Sequence, residues 1–144
     1  MTSHIPATLL RAVRKRAGGI CEYCRLPQES QEATFHVDHI RPRSSGGMTS
    51  LENLGLACVT CSLRKSARIR ARDPNTGRSV RLFHPRRDIW EEHFEFTRRW
   101  RIRGRTAIGR ATVSALGMNR VAVVAIRQEL AATGRFPSPP TQDA

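Results

Sequence analysis

The chain has 144 residues, 39% of them hydrophobic, and carries 25 Lys and Arg against 12 Asp and Glu, a formal charge of +13. That length buries one core of ordinary size rather than two, and the modest apolar content suits a small core helped by a metal cross-link. Only Lys15 and Lys65 are lysines; arginine grips phosphate bidentately, so the charge argues against a merely soluble basic protein and for nucleic acid as partner.

Residues 1–5 read as a loose start. The apolar stretch from Ile5 to Leu10 is broken by Pro6 and Thr8 and is too short for a signal peptide. No apolar run approaches the roughly 18 residues a membrane span requires, so no membrane partner is expected and the expected location is the cytoplasm. Pro6 opens an amphipathic helix with Leu9, Leu10 and Val13 on its apolar side, ending at Gly18-Gly19. Cys21-Glu22-Tyr23-Cys24 follows as a knuckle, then Pro27 and the polar run from Gln28 to Glu32 as an exposed loop.

Thr34 to Ile40 is rich in strand formers, and period-two alternation places His36 and Asp38 on one face and Val37 on the other. His39 points away from Asp38 in a regular strand, so a bend is expected for both to serve one site; Pro42 and the Arg43 to Met48 turn, with Gly46-Gly47, follow soon after. Ser50-Leu51-Glu52 reads as a turn and Asn53 to Ala57 as a second strand returning antiparallel. Cys58-Val59-Thr60-Cys61 opens a helix expected over 59–71, with Leu63, Ala67 and Ala71 along an apolar stripe and Pro74 as its stop.

Beyond the turn at Asp73 to Gly77, Val80 to Phe83, Glu92 to Phe96 and Arg98 to Arg103 read as strands. Thr106 caps a helix to Leu116, halted by Gly117, and Asn119 caps a last helix through Thr133. Residues 137–144, with three prolines, read as a disordered tail.

Cys21, Cys24, Cys58 and Cys61 are the only cysteines and form two pairs of Cys-x-x-Cys spacing. In a reducing compartment such pairs read as the four thiolates of a structural zinc site, closed to substrate, rather than as disulfides.

Between the knuckles lies Phe35-His36-Val37-Asp38-His39-Ile40-Arg41-Pro42, followed by Gly46-Gly47 and Asn53-Leu54. In this order the chain resembles the HNH endonucleases, most closely their four-cysteine branch, over residues 20–66 and more loosely beyond. The resemblance implies an α+β fold with a ββα-metal core stapled by a four-cysteine zinc site, here about 20–72, plus a β-strand and two-helix C-terminal extension over 73–136 in a single domain of 1–136. It implies hydrolysis of double-stranded DNA, leaving 5′-phosphate and 3′-hydroxyl ends, with Mg²⁺, Mn²⁺ or Ni²⁺ beside the structural zinc. Carried over residue by residue, Asp38 becomes a ligand of the catalytic ion, His39 the general base, and Asn53 a residue that holds the loop bearing the histidine.

Ser62 stands where the family usually has His or Asn as a further metal ligand, and Arg64 where relatives often have His; Lys65 matches the usual lysine. A serine hydroxyl is the poorer ligand, and two readings stay open. Either the chain cleaves DNA with lowered metal affinity, or it is a zinc-stabilised module that binds nucleic acid without cutting it. His36 is a metal or phosphate contact or a partner of Asp38, whereas His84 and His93 are expected to be structural. Arg41, Arg43, Arg64, Lys65 and Arg68 are the expected phosphate contacts. Arg70 and Arg72 continue that cluster on the helix, and Arg98 to Arg105 form a second one. No segment resembles a base-reading helix, so weak sequence preference is expected.

Overall fold

A computed structural model describes residues 4–137; the expected tail beyond 137 lies outside the described residues. Ala7–Ala17 forms α1, closed by Gly18 in the left-handed conformation. The loop after the first knuckle is mostly half-buried and contains a short 3₁₀ turn at Gln28–Ser30. The first strand is shorter than expected, His36–His39 (β1), and pairs antiparallel with Leu54–Ala57 (β2), in a register that sets Asp38 opposite Gly55 and His39 opposite Leu54. Leu54, Leu56 and Ala57 are buried, together with Val13 of α1. Two arginines of α1 serve this packing: Arg14 donates to the Phe35 carbonyl at 3.0 Å, and Arg16 to the carbonyls of Leu51 and Leu54 at 2.9 and 2.7 Å.

Helix α2, Val59–Lys65, is half the expected length. Ser66 leaves helical geometry at φ 49° and ψ −134°, and Leu63, placed on an apolar stripe by its spacing, is 68% exposed. Two long-range demands override the local helical pattern. Lys65 turns inward to the hairpin, and Arg70–Arg72 is drawn into β3, which pairs with Ser79–Arg81 (β4). Arg70 and Arg72 therefore lie on a strand rather than on the helix. The order β1, β2, α2 is nonetheless the ββα arrangement.

The turn joining β3 to β4 is anchored on Asp73, which is buried and accepts from the Asn75 amide, the Thr76 hydroxyl and, at 3.0 Å to each carboxylate oxygen, from Arg110. Of the strand expected over Glu92 to Phe96 only Phe94–Phe96 is strand, β5; Glu92 and His93 belong to a single helical turn, Trp90–His93, α3. Trp90 fixes this turn because its indole N–H donates to the Tyr23 carbonyl at 2.8 Å. The basic stretch expected as a strand over 98–103 begins as a tight turn, with Trp100 at φ 62°, and pairs only over Ile102–Gly104 (β6).

Ala107–Leu116 forms α4 as expected, with the Thr106 hydroxyl accepting from the Gly109 amide at 3.0 Å and Gly117 left-handed at its end. Close approach demands a glycine at 109, because a Cβ there would lie 2.0 Å from the His93 carbonyl oxygen. The last helix, α5, is Val121–Ala132, and Asn119 does not cap it. Its amide instead bonds both the N–H and the C=O of Ile102, each at 2.7 Å, joining β6 to the start of α5. One buried apolar cluster runs from Val13 through the four cysteines to Phe83, Trp90, Phe94, Leu116 and Val123.

Candidate active site and metal centre

The two knuckles bring Cys21, Cys24, Cys58 and Cys61 together, buried, with all four sulfurs within 4.8 Å of one another. None is in a disulfide. Tetrahedral zinc at about 2.3 Å from each thiolate requires sulfurs a little under 4 Å apart, and Sγ of Cys24 and Cys58 are separated by 3.7 Å. In each knuckle the amide of the second cysteine points at the sulfur of the first, at 3.5 Å for Cys24 and 3.4 Å for Cys61. Hydrogen bonds from Cys21, Cys24 and Cys61 hold the Cys58 thiol far below its ordinary pKa. The donor set fits zinc, and its four thiolates leave no open position for substrate.

β1 carries His36, Asp38 and His39, all half-buried and open to solvent. His39 Nε2 lies 2.8 Å from the Thr49 hydroxyl. Burial, then the charge of Arg43, lowers the imidazole pKa, with Asp38 opposing and Lys65 adding to the lowering. Burial and the neighbouring cations thus favour the neutral ring. Lys65 is 3% exposed, and its Nζ reaches the His39 carbonyl at 3.5 Å. Burial lowers its pKa and the Asp38 carboxylate raises it, so a buried cation stands in the field of Asp38.

Asn53 spans the loop that follows. Its Oδ1 accepts from the Arg41 amide at 2.8 Å, and its Nδ2 donates to the carbonyls of Arg41 and Met48 at 3.0 and 2.8 Å. The loop closes this tightly because residue 47 is glycine; a Cβ there would sit 1.7 Å from the Arg41 carbonyl oxygen.

Ser62, on α2, places its hydroxyl 2.8 Å from His36 Nδ1. The two residues proposed on sequence as further metal ligands thus meet each other, on the strand face that alternation also gives to Asp38. Among the described residues, the four cysteines are the one group of three or more His, Cys, Asp or Glu side chains gathered closely enough for a metal. His36, Asp38 and His39 do not form a second such group.

The basic residues divide by partner. Arg41 donates its Nε to the Ser45 carbonyl at 2.7 Å. Arg43 is near enough to influence His39. Arg64 lies against Gly117 at the end of α4, and Arg68 is exposed after α2. In the second cluster, Arg103 pairs with Glu95, and Arg105 reaches Glu95 at 3.9 Å and the Glu91 carbonyl at 2.9 Å.

Several residues around the site carry no sequence signal. In the sequence Thr49 is only part of a turn, and Glu22 only a spacer between cysteines. Glu22 is buried, accepts from the Leu56 amide at 2.8 Å and pairs with Arg86 of the extension. Arg127 of α5 is fully buried, donating to the carbonyls of Trp100 at 3.0 Å and Met118 at 2.5 Å. Burial lowers its pKa, and Cys24, Cys61 and Cys21 raise it again, which sets this cation in the field of the cysteine cluster.

Residues 21–68, about a third of the chain, match the family model described as HNH endonuclease. The matched stretch contains both cysteine pairs, the β1–β2 hairpin and α2, and it implies a nuclease-type, metal-dependent site that acts on nucleic acid. No curated protein matches the chain significantly.

Proposed function

We propose, from the HNH match over residues 21–68, that the chain is an endonuclease that hydrolyses DNA phosphodiester bonds with little sequence preference. One observation carries most weight: His39 is half-buried and open to solvent next to Asp38 in β1, its Nε2 lies 2.8 Å from the Thr49 hydroxyl, and burial favours its neutral form. With Nε2 donating to the Thr49 hydroxyl, Nδ1 is the nitrogen that would accept a proton from the attacking water. Asn53 acts by position, holding the 41–48 loop that follows His39 through three hydrogen bonds. Lys65, held at the His39 carbonyl, is a fixed positive charge in the field of Asp38.

Asp38, with Ser62 or His36, would hold the divalent ion, which when bound stabilises charge on the phosphate oxygens and on the departing 3′-oxygen. Arg41, Arg43, Arg64 and Arg68 grip flanking phosphates, so binding falls steeply with salt. The structural zinc holds the helix start against the N-terminal loop and takes no part in the chemistry. Plasmid nicking with Mg²⁺, Mn²⁺ or Ni²⁺ tests the proposal: wild type cuts, whereas His39→Ala and Asp38→Ala are silent. Cutting that survives both changes would refute it.

The contact between Ser62 and His36 favours a second reading, because it occupies both auxiliary ligands with each other. On that reading the chain is a zinc-stabilised binding module. It would shift DNA in a gel and cut none with any of the three metals.

A further inference from the structure

Beside the Asn53 loop lies a cleft of about 640 Å³ that the HNH match only half accounts for. It is lined by Arg41 and residues within 46–53, by residues within 65–70, and by residues within 81–88 of the extension, where the 69–70 and 81–82 segments are hydrogen-bonded neighbours. Its basic residues outnumber its acids, Glu52 and Asp88. Asp88 is already committed, with one oxygen on each Arg81 guanidinium nitrogen at 2.6 and 2.9 Å and the His84 amide at 2.9 Å. Arg68 and Arg87 are different. Both are exposed, both line the cleft, and among the described residues neither guanidinium has a hydrogen-bond or ion-pair partner.

The lining is not only charged. Ile40, Leu82 and Phe83 form an apolar floor, and Met48, 73% exposed, and Ile69 stand at its edge as unburied apolar side chains. His84 adds a directed donor. Its Nδ1 accepts from the amides of Arg86 and Arg87 at 3.1 and 3.3 Å, which leaves the ring proton on Nε2. Two unpartnered cations above an apolar floor suit a ligand that is anionic at one end and flat and apolar at the other. The volume lies within the range of about 300–1,000 Å³ that encloses small molecules, on the order of one or two nucleotides and well short of a duplex.

We propose that this cleft receives an unpaired nucleotide of the strand being cut, with Arg68 and Arg87 on its flanking phosphates and its base against the Ile40, Leu82 and Phe83 floor. The substrate class is then DNA with single-stranded character at the cleavage point: a loop, gap or flap. This inference rests on the nuclease proposal, since Asn53 and Lys65 line the cleft and also hold the candidate catalytic residues. Unpaired nucleotides are the natural occupants of such sites because no stacking or pairing has to be broken first.

The test is fluorescence anisotropy of the zinc-loaded full chain, without added divalent ion, on three labelled DNAs of equal length: a blunt duplex, the same duplex with a short internal loop, and a single strand. The looped duplex is expected to bind about tenfold tighter than the blunt one, the effect of a single stacked base. In Arg68→Ala/Arg87→Ala that preference disappears, and the slope of log K against log salt on the single strand falls by about 1.4, the share of two phosphate contacts. Neither arginine has a protein partner, so the double variant keeps its fold, as its melting temperature will show. Equal affinity for looped and blunt duplex, or a preference that survives the double substitution, overturns the proposal. Cleavage lost in His39→Ala but equal on all three DNAs would overturn the cleft and leave the nuclease standing. Binding preference without cleavage of any DNA would overturn the nuclease and leave the cleft as a binding site.

Discussion

Arg127→Met tests how the C-terminal helix supports the metal centre. Methionine is apolar, unbranched and close to the aliphatic part of arginine in bulk, so the cavity left behind is small. What is lost is two charge-assisted hydrogen bonds, to Trp100 O at 3.0 Å and to Met118 O at 2.5 Å, each worth about 1.5–3 kcal/mol. Relief of burying a guanidinium offsets part of this, and a net loss of about 3 kcal/mol is expected. For a chain of this size that is a fall of roughly 10 °C in melting temperature.

A second effect follows from charge. Four thiolates on Zn²⁺ carry roughly −2, and Arg127 is a fully buried cation in their field, with half-buried Arg25 a second one. Removal of Arg127 is expected to speed zinc transfer to a chromophoric chelator about tenfold or more at 25 °C, where both proteins are folded. Arg127→Lys keeps the charge and loses the planar fork, so it should restore zinc retention more than thermal stability. Zinc transfer at the wild-type rate in Arg127→Met would refute the electrostatic part. A melting temperature within about 3 °C of wild type would refute the hydrogen-bond part.

Three more predictions concern the catalytic end. On the proposed mechanism His39 must be neutral to accept a proton, so the rate should rise with pH through its pKa, which burial and Arg43 place below the ordinary histidine value. Arg43→Ala removes a lowering charge, and the acidic limb of the pH–rate profile should move to higher pH. Gly47→Ala puts a Cβ into the Arg41 carbonyl; the 41–48 loop must open, costing about 1–3 kcal/mol by thermal melting, and nicking should fall with it. Ser62→Asn supplies an amide oxygen in place of a hydroxyl and should raise cleavage at limiting Mg²⁺ or Mn²⁺. An unchanged metal-dependence curve would show that residue 62 is no ligand.

The parts legible in the sequence are those fixed within a few residues. Each Cys-x-x-Cys pair can place two sulfurs on one ion from local geometry alone, and both pairs come together in the fold. Thr106 and Gly117 mark the ends of α4 for the same reason, because capping satisfies backbone groups in a single turn. Strand-forming residues and the Gly46-Gly47 turn likewise locate the β1–β2 hairpin to within two residues.

Long-range partners decided the rest. The apolar stripe through Leu63 and Ala67 described a helix that Lys65 cuts short by turning in to the His39 carbonyl. Glu92 and His93, expected in a strand, fall in the helical turn that starts at Trp90, whose N–H meets the Tyr23 carbonyl 67 residues away. Asn119 leaves its cap for Ile102, and Ser62 finds His36 across 26 residues. Composition gave the number of arginines but not their roles. Arg14, Arg16 and Arg127 donate to backbone carbonyls of the protein, while Arg68 and Arg87 have no hydrogen-bond or ion-pair partner among the described residues. A buried polar group must be satisfied by whatever the fold brings near it, and that choice has no local signature in the chain.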